Sequence, residues 1–299
     1  MTWLIRIAAA ALVVGAAVLV WLLLPATTAV KIPSGVSSRD AGMVERGAYV
    51  VRISGCVTCH TAKGGVPFAG GRALETPFGT FYSPNITSDR ETGIGKWSDE
   101  DFLRALLYGE GSQGEHLYPS FPYTSYSDMK IQDALSIKAY LMSLAPVRAA
   151  IQPHQLRFPF GWRALMKGWK FLFFWPELNM TMPNYTPAVA RGSYLVTALG
   201  HCGECHTPRN ALGAMDSVAF LKGNPNGPEG WAVPALVGPS KGNFSHWSVE
   251  EISEYLKTGG KPDFDSAQGP MKEVIEENTR FLTDEDRAAM AEFLKSLNE

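Results

Sequence analysis

The pattern of apolar and polar residues separates an apolar N-terminal segment from a longer region with helical periodicity. No charged residue lies between Arg6 and Lys31, and the uninterrupted apolar run from Ile7 to Leu24 corresponds to about 27 Å of α-helix, enough to cross a bilayer. A cleaved signal peptide is the alternative, with a weak cleavage site at residues 25–29. The length of the run favours a retained anchor over residues 1–30, and either outcome would export the rest of the chain.

Apolar residues recur at helical spacing near the end of each half of the remaining chain. The segments Ile131–Leu144 and Asp284–Leu297 are predicted to be amphipathic helices. Two further helices are expected after Ser98 and Ser248, because each serine is followed three residues later by an acidic residue, the arrangement of a capping box. Strand signals are nearly absent, so the pattern predicts a mainly α-helical fold.

The two halves also repeat the same motifs in the same order. Arg46-Gly-Ala-Tyr49 corresponds to Arg191-Gly-Ser-Tyr194, and Trp97-Ser-Asp-Glu-Asp101 corresponds to Trp247-Ser-Val-Glu-Glu251. Each arginine motif lies in the first predicted helix of its half. The repeat indicates that both halves follow one structural plan.

This plan predicts two domains, at residues 40–146 and 188–299, joined by a connector at residues 147–187. Gly47 and Gly192 lack a Cβ atom and would allow a second helix to cross the first one closely. A helical unit of about 100 residues has little core of its own, so a large apolar group is expected to fill each domain.

The four cysteines lie in two pentapeptides, Cys56-Val-Thr-Cys59-His60 and Cys202-Gly-Glu-Cys205-His206. This spacing lets two thiols bind the two vinyl groups of one haem while the histidine binds its iron. A zinc site would need two more ligands and a redox dithiol would need surrounding strands, and neither explains a histidine after both pairs. The motifs therefore predict two covalently bound haem c groups with His60 and His206 as iron ligands.

The sixth iron ligand in the second half has three methionine candidates. Met215 follows the attachment motif too closely to reach the opposite haem face, and Met290 lies on the apolar face of the last predicted helix. Met271, in a predicted loop, is therefore the expected ligand. A methionine ligand raises the reduction potential and closes the iron to small molecules.

The sixth ligand in the first half has more than one candidate. Met129 precedes the closing helix, whereas Met142 lies within that helix, where packing is the expected role. His116 is the main rival, because haem is also bound by two histidines. We favour Met129 and keep His116 as the alternative.

Charge and aromatic content further restrict the partners. The chain has 27 basic and 29 acidic residues, a net charge of −2, which argues against nucleic acid as a partner. The stretch Phe160–Phe174 within the connector is basic and aromatic. It predicts either a helix packed between the domains or a helix that binds a membrane surface or a partner.

Several further segments carry a family resemblance. They are Thr76-Pro-Phe-Gly79, Tyr82-Ser-Pro-Asn-Ile-Thr87, Glu91-Thr-Gly-Ile-Gly95, Leu117-Tyr-Pro-Ser-Phe-Pro-Tyr123, Gly200-His-Cys-Gly-Glu-Cys-His-Thr-Pro-Arg209 and Pro270-Met-Lys-Glu-Val-Ile275. Together with the repeat, they resemble the membrane-anchored dihaem or trihaem cytochrome c subunits of bacterial alcohol, gluconate and aldehyde dehydrogenases. The resemblance covers nearly all of the chain after the apolar segment.

The resemblance implies two tandem class I cytochrome c domains in the periplasm, anchored by one helix in the inner membrane. Such subunits pass electrons from a dehydrogenase catalytic subunit to quinone, a downstream cytochrome or a terminal oxidase, and they catalyse no substrate chemistry at the haems. It also implies that Met271 binds iron, that Pro84 and Pro234 accept hydrogen bonds from the iron-binding histidines, and that Arg209, Trp97 and Trp247 lie near the haem propionates.

One departure from the family pattern affects the first haem. Many relatives carry a methionine in a Met-Pro-Tyr triplet where this chain has Phe121-Pro122-Tyr123, so Met129 would act as a substitute. An open first haem would instead indicate a dihaem enzyme of the peroxidase or thiosulfate-oxidising type.

Overall fold

Helices make up most of the regular structure in the computed structural model, which describes residues 2–26, 28–150, 152–176, 185–238 and 244–298. Residues 177–184 of the predicted connector lie outside the described residues. The helices are α1 Thr2–Leu23, α2 Met43–Ile53, α3 Cys56–Cys59, α4 Asp99–Tyr108, α5 Tyr123–Tyr126, α6 Ile131–Ser143, α7 Leu165–Phe173, α8 Pro187–Tyr194, α9 Gly203–His206, α10 Val249–Thr258, α11 Gly269–Glu277 and α12 Asp284–Ser296. This agrees with the mainly helical fold predicted from the sequence.

The N-terminal helix α1 contains 22 residues, and its most apolar window has a mean hydropathy of 2.3 with no residue buried in the protein. By length and composition it is able to cross a membrane, although a signal sequence has the same properties. The predicted N-terminal apolar helix is therefore confirmed.

The first and last helices of each half cross at a glycine. A Cβ atom added to Gly47 in α2 would overlap the backbone carbonyl of Ser136 in α6. A Cβ atom added to Gly192 in α8 would overlap the carbonyl of Ala289 in α12 in the same way. The close helix crossing predicted from the repeat is present in both halves.

The two predicted capping boxes are also present. Ser98 accepts a hydrogen bond from the backbone of Asp101 at the start of α4, and Ser248 does the same for Glu251 at the start of α10. In each box the acidic side chain accepts a hydrogen bond from the backbone N–H of its serine, so both motifs start their helices as predicted.

A small antiparallel sheet accompanies the helices, and its short strands agree with the near absence of strand signals in the sequence. It contains β1 Ala73–Thr76, β2 Gly79–Tyr82 and β3 Gln155–Leu156, in the order β1-β2-β3. Its strands are too short for an alternating pattern to stand out in the sequence. The third strand comes from the connector, which is thereby attached to the first half.

Within each half, the arginine of the repeated motif pairs with an aspartate of the closing helix. Arg46 Nε lies 2.7 Å from Asp133, and Arg191 Nη2 lies 2.7 Å from Asp286. Both ion pairs hold the first helix of a half to its last helix.

The tyrosines of the same motifs instead pair with residues of the other half. The Tyr49 hydroxyl in the first half donates to Asp286 in the second, and the Tyr194 hydroxyl in the second half donates to Asp133 in the first, both at 2.6 Å. The contacts are reciprocal, so the halves are joined by an approximately two-fold symmetric interface. One buried hydrophobic cluster runs through both halves and includes Leu135 and Phe293.

Candidate functional site

Both cysteine motifs lie on short helical turns with unpaired cysteines. Cys56 and Cys59 delimit α3, while Cys202 and Cys205 lie at the start and within α9, and none of the four forms a disulfide. Burial raises the pKa of both Cys56 and Cys202 to about 12, with a smaller contribution from the second cysteine of each pair. Catalytic redox dithiols have a lowered thiol pKa, so the electrostatics argue against a redox dithiol.

The histidine after each cysteine pair is held in the same way in both halves. His60 Nδ1 donates a hydrogen bond to the Pro84 carbonyl at 2.8 Å, and His206 Nδ1 donates to the Pro234 carbonyl at 2.8 Å. With the proton on Nδ1, the Nε2 atom is the nitrogen available to iron. Burial lowers the pKa of both imidazoles, which favours the neutral form that binds a metal.

These features fit a haem attached through thioether bonds. Each motif supplies two unpaired thiols at the required spacing and a neutral imidazole whose ring is oriented by a backbone carbonyl. The hydrogen bonds that the family resemblance implied for Pro84 and Pro234 are present in the structure.

The residues just before the two motifs meet across the interface between the halves, where His201 Nε2 lies 3.4 Å from the Ser54 carbonyl oxygen. Burial raises the pKa of the Cys205 thiol to about 11. Tyr126 lies beside this contact, where its hydroxyl donates to the Ser54 carbonyl at 2.7 Å. The ring of His201 packs edge-on against Tyr126 at 5.4 Å, so the residues preceding each motif meet at one buried tyrosine.

The third residue of each motif binds the opposite half. Thr58 donates to Asn278 Oδ1 at 3.2 Å. Glu204 Oε1 accepts from the Thr124 and Ser125 hydroxyls at 2.8 and 2.7 Å. Sequence reasoning missed these residues, because a polar side chain at one motif position gives no information about a partner far away in the chain.

Arg72 forms another link between the halves that the sequence did not indicate. Its guanidinium donates to the Thr58 carbonyl at 2.9 Å and forms an ion pair with Glu273 in α11. Helix α11 is the element that carries Met271. The first attachment motif is thus connected to the helix bearing the candidate ligand of the second haem.

The structure places the candidate methionines as follows. Met271 lies in the first turn of α11 and is partly buried, rather than in the loop expected from the sequence. Pro270 at the start of that helix is preorganised for the first turn, which explains the difference. Met129 is buried immediately before the N-cap of α6, and Met290 is buried in α12 as expected for a core residue.

His116, the rival ligand for the first haem, is covered by the connector. Neither ring nitrogen has a hydrogen-bond partner among the described residues, and both atoms are buried. Burial, followed by the charges of Lys170 and Lys167, lowers the pKa of His116 to about 4. A neutral imidazole without a partner leaves this residue chemically able to act as a ligand.

The three residues expected near the haem propionates have different environments. Arg209 pairs with the Glu204 carboxylate and donates to the Gly213 carbonyl at 2.7 Å. Trp97 and Trp247 are partly buried against the hydrophobic cluster. The contacts of Arg209 give it a direct role in fixing the second attachment motif.

Fold and site together define a c-type cytochrome, and comparisons with known proteins support this class. The sequence model of the cytochrome c family matches residues 189–298. A dihaem cytochrome c-type protein of Cereibacter sphaeroides is 43% identical over 289 residues, which cover 95% of this chain and 94% of the relative. The chain therefore belongs to the family of dihaem c-type cytochromes, and it carries two covalently bound haem c groups.

Two further relatives are parts of dehydrogenases by name. One of the subunits of nicotinate dehydrogenase from Pseudomonas putida is 44% identical over 89% of this chain, and the gluconate 2-dehydrogenase cytochrome c subunit of Pantoea cypripedii is 39% identical over 85%. The matched region spans 22% of the first relative and 59% of the second. Both relatives are thus considerably longer than the segment that they share with this chain.

Proposed function

We propose that the chain is an electron-transfer subunit that relays electrons from a dehydrogenase catalytic subunit to quinone, a downstream cytochrome or a terminal oxidase. One haem is attached to Cys56 and Cys59 with His60 on its iron. The other is attached at the second motif, with His206 on its iron. The observation that carries the proposal is that each motif has a histidine fixed by a proline carbonyl, and that the residues preceding the two motifs are in contact across one interface.

The two halves form tandem class I cytochrome c domains at residues 40–146 and 188–299, joined by the connector at residues 147–187. The repeated helix crossings, capping boxes and histidine–proline hydrogen bonds support this division. The reciprocal tyrosine–aspartate contacts support a fixed arrangement of the two domains.

Haem iron supplies one-electron redox chemistry when it is bound. The residues of this chain hold and tune it. The carbonyls of Pro84 and Pro234 keep each imidazole in one tautomer and orientation. Met129 would bind the iron of the first haem and Met271 that of the second. Substrate oxidation and its proton transfers take place on the partner subunit.

The interface between the motifs provides the route for electrons between the haems. Tyr126 and His201 pack together there, and the Tyr126 hydroxyl is satisfied by the Ser54 carbonyl. Tyr126 is only 4% exposed, so this contact lies in the interior of the interface. A buried, preorganised contact limits the reorganisation that accompanies each electron transfer.

Helix α1 anchors the chain in the inner membrane by a single span, with the haem domains in the periplasm. Its length and hydropathy support the span, and Arg6 on the short N-terminal side favours an N-inside orientation. The dehydrogenase names of several relatives support a catalytic subunit as partner.

Membranes from a strain that lacks this chain provide the test. One periplasmic dehydrogenase should lose substrate-dependent oxygen uptake but keep its activity with a soluble dye acceptor, because only the relay is missing. Complementation with a His206→Ala variant should fail. If oxygen uptake is unaffected with every substrate, or if the purified chain turns over peroxide or thiosulfate, the carrier function is wrong.

A further inference from the structure

We propose that helix α7 and the aromatic residues next to it lie on the bilayer surface beside α1 and hold both haem-bearing halves at a fixed position above the membrane. The inference rests on the proposed function in one respect, the placement of α1 in a membrane. The occupant of the exposed α7 face is the lipid headgroup region.

One face of α7 packs against both halves of the protein. Trp169 Nε1 donates to the Leu212 carbonyl of the second half at 2.9 Å. Lys170 Nζ donates to the Gly109 carbonyl of the first half at 2.6 Å and lies 4.9 Å from the centre of the Tyr123 ring. Both side chains are buried, so α7 is fixed to the body of the protein.

The other face of α7 is apolar and exposed. Phe171 is 62% exposed, Leu172 is 58% exposed, and Trp175 just beyond the helix is 54% exposed. Exposed aliphatic and aromatic residues on neighbouring positions of a helix that is otherwise docked mark an interaction surface.

The exposed face is continuous with the C-terminal end of α1, which identifies its occupant. The rings of Trp21 and Phe171 are in edge-to-face contact at 5.8 Å. Lys167 Nζ donates to the Leu24 carbonyl at 3.2 Å and lies 5.1 Å from the Trp21 ring. With α1 in the bilayer, these contacts place α7 at the level where the apolar span ends.

The exposed face of α7 has the residue composition that is typical of the membrane interface, where the apolar span of α1 ends. Tryptophan, phenylalanine and leucine are typical of the apolar face of helices that lie at the membrane interface, and basic side chains beside them attract anionic headgroups. Lys167 and Arg163 supply this charge, with the Arg163 guanidinium 4.6 Å from the Tyr118 ring. A protein partner would meet the same face only if it also lay in the headgroup region.

The segment after α1 leaves little freedom for the body of the protein to move away from the membrane. The Ala26 N–H donates to the Gly114 carbonyl at 2.8 Å, and the Thr28 hydroxyl donates to Glu110 at 2.8 Å. The chain therefore docks onto the first half almost immediately after the apolar helix. A surface orientation of α7 follows from this short connection.

Thiol accessibility in the full-length, haem-loaded chain tests the proposal. The native cysteines are consumed by haem attachment, so L172C introduces the one reactive thiol, and V218C is the matched control because Val218 is 83% exposed on the second half. In vesicles of phosphatidylcholine and phosphatidylglycerol, L172C should react with a charged, membrane-impermeant maleimide about tenfold more slowly than V218C, because an apolar environment suppresses the thiolate. A photoactivatable phospholipid should also cross-link to residues 165–175 and not to residues 217–219.

Equal rates for the two variants, or cross-links at neither segment, would overturn the proposal. Disulfide-linked dimers of L172C under a mild oxidant would instead assign the exposed face to a second copy of the chain and would also overturn it. Haem content and reducibility, measured on the same samples, show separately whether the proposed function holds.

Discussion

The two halves fix the histidine of each cysteine motif by the same contact but differ in what covers the turn after the capping-box helix. In the first half, residues 110–116 are covered by the segment after α1 and by the connector, and the His116 ring nitrogens are buried. In the second half, the corresponding residues 260–266 are open, and Phe264 at their tip is 100% exposed. The repeat thus preserves the histidine contacts. The surroundings distinguish a first half covered by the segment after α1 and by the connector from a second half with an open surface.

The largest expected effect comes from the two helix crossings. Gly47→Ala and Gly192→Ala should each destabilise the haem-loaded chain by about 3 kcal/mol or more, because the added methyl group meets a backbone carbonyl that cannot move aside. Helix propensity alone would predict a gain of about 1 kcal/mol. Urea unfolding followed by circular dichroism measures the difference.

Gly260→Ala is the control for these substitutions, because its Cβ atom would meet only the side chain of Thr258, at 3.5 Å. It should leave the free energy of unfolding nearly unchanged. Similar stability for all three variants would show that the helices do not cross as described.

Substitution of the proposed sixth iron ligands should give the next largest effect, a change in the haem reduction potentials. Met129→Ala should lower the reduction potential of one haem and Met271→Ala that of the other, since axial ligands control haem potentials over a range of about 0.8 V. Potentiometric titration with electron paramagnetic resonance of the oxidised haems assigns each change. His116→Ala is the control, and if it rather than Met129→Ala alters the first haem, His116 is the ligand.

Substitutions at the third residue of each motif should affect the two haem potentials differently, because Glu204 is acidic and Thr58 is uncharged. Glu204→Gln should raise the potential of the second haem by tens of millivolts, because the buried carboxylate stabilises the more positive, oxidised haem. Thr58→Val removes the equivalent contact without changing charge, so the potential of the first haem should stay nearly constant. Equal shifts in both haems would contradict this difference.

The smallest effect concerns the reciprocal tyrosines. Tyr49→Phe and Tyr194→Phe each remove two hydrogen bonds between the halves, one donated to an aspartate and one accepted from a backbone N–H. Either substitution should cost about 1–2 kcal/mol of unfolding free energy. Unequal losses of unfolding free energy would show that the two contacts contribute differently to stability, although their geometry is the same.

The same interface should weaken in acid. Burial raises the pKa of Asp286, but its hydrogen bonds with Arg191 and Tyr49 and the charge of Arg191 outweigh this, so that the pKa lies below its ordinary value of 3.8. A carboxylate whose pKa is lower in the folded state stabilises that state at pH values above its unfolded pKa. This contribution is lost as the pH falls through the folded pKa. As the pH falls from 3.8 through the lower folded value, the difference in stability between Tyr49→Phe and the unmodified chain should therefore become smaller.

Local patterns in the sequence predicted much of each half. The capping serines, the crossing glycines and the histidine motifs all depend on neighbouring residues or on a repeated spacing. By contrast, Tyr49 and Asp286 are 237 positions apart, and their pairing depends on how two finished units dock. The strands β1 to β3 were missed because they are too short for an alternating pattern to be recognised.

The most direct test of the account is electron exchange between the two haems of one chain. A small amount of a fast one-electron reductant is mixed with the oxidised chain, and freeze-quenched samples report how the electron redistributes between the haems. Because the residues preceding the two attachment motifs are in contact, we expect a redistribution rate that is independent of protein concentration. A rate proportional to concentration would mean that electrons pass only between colliding molecules and would contradict the proposed relay.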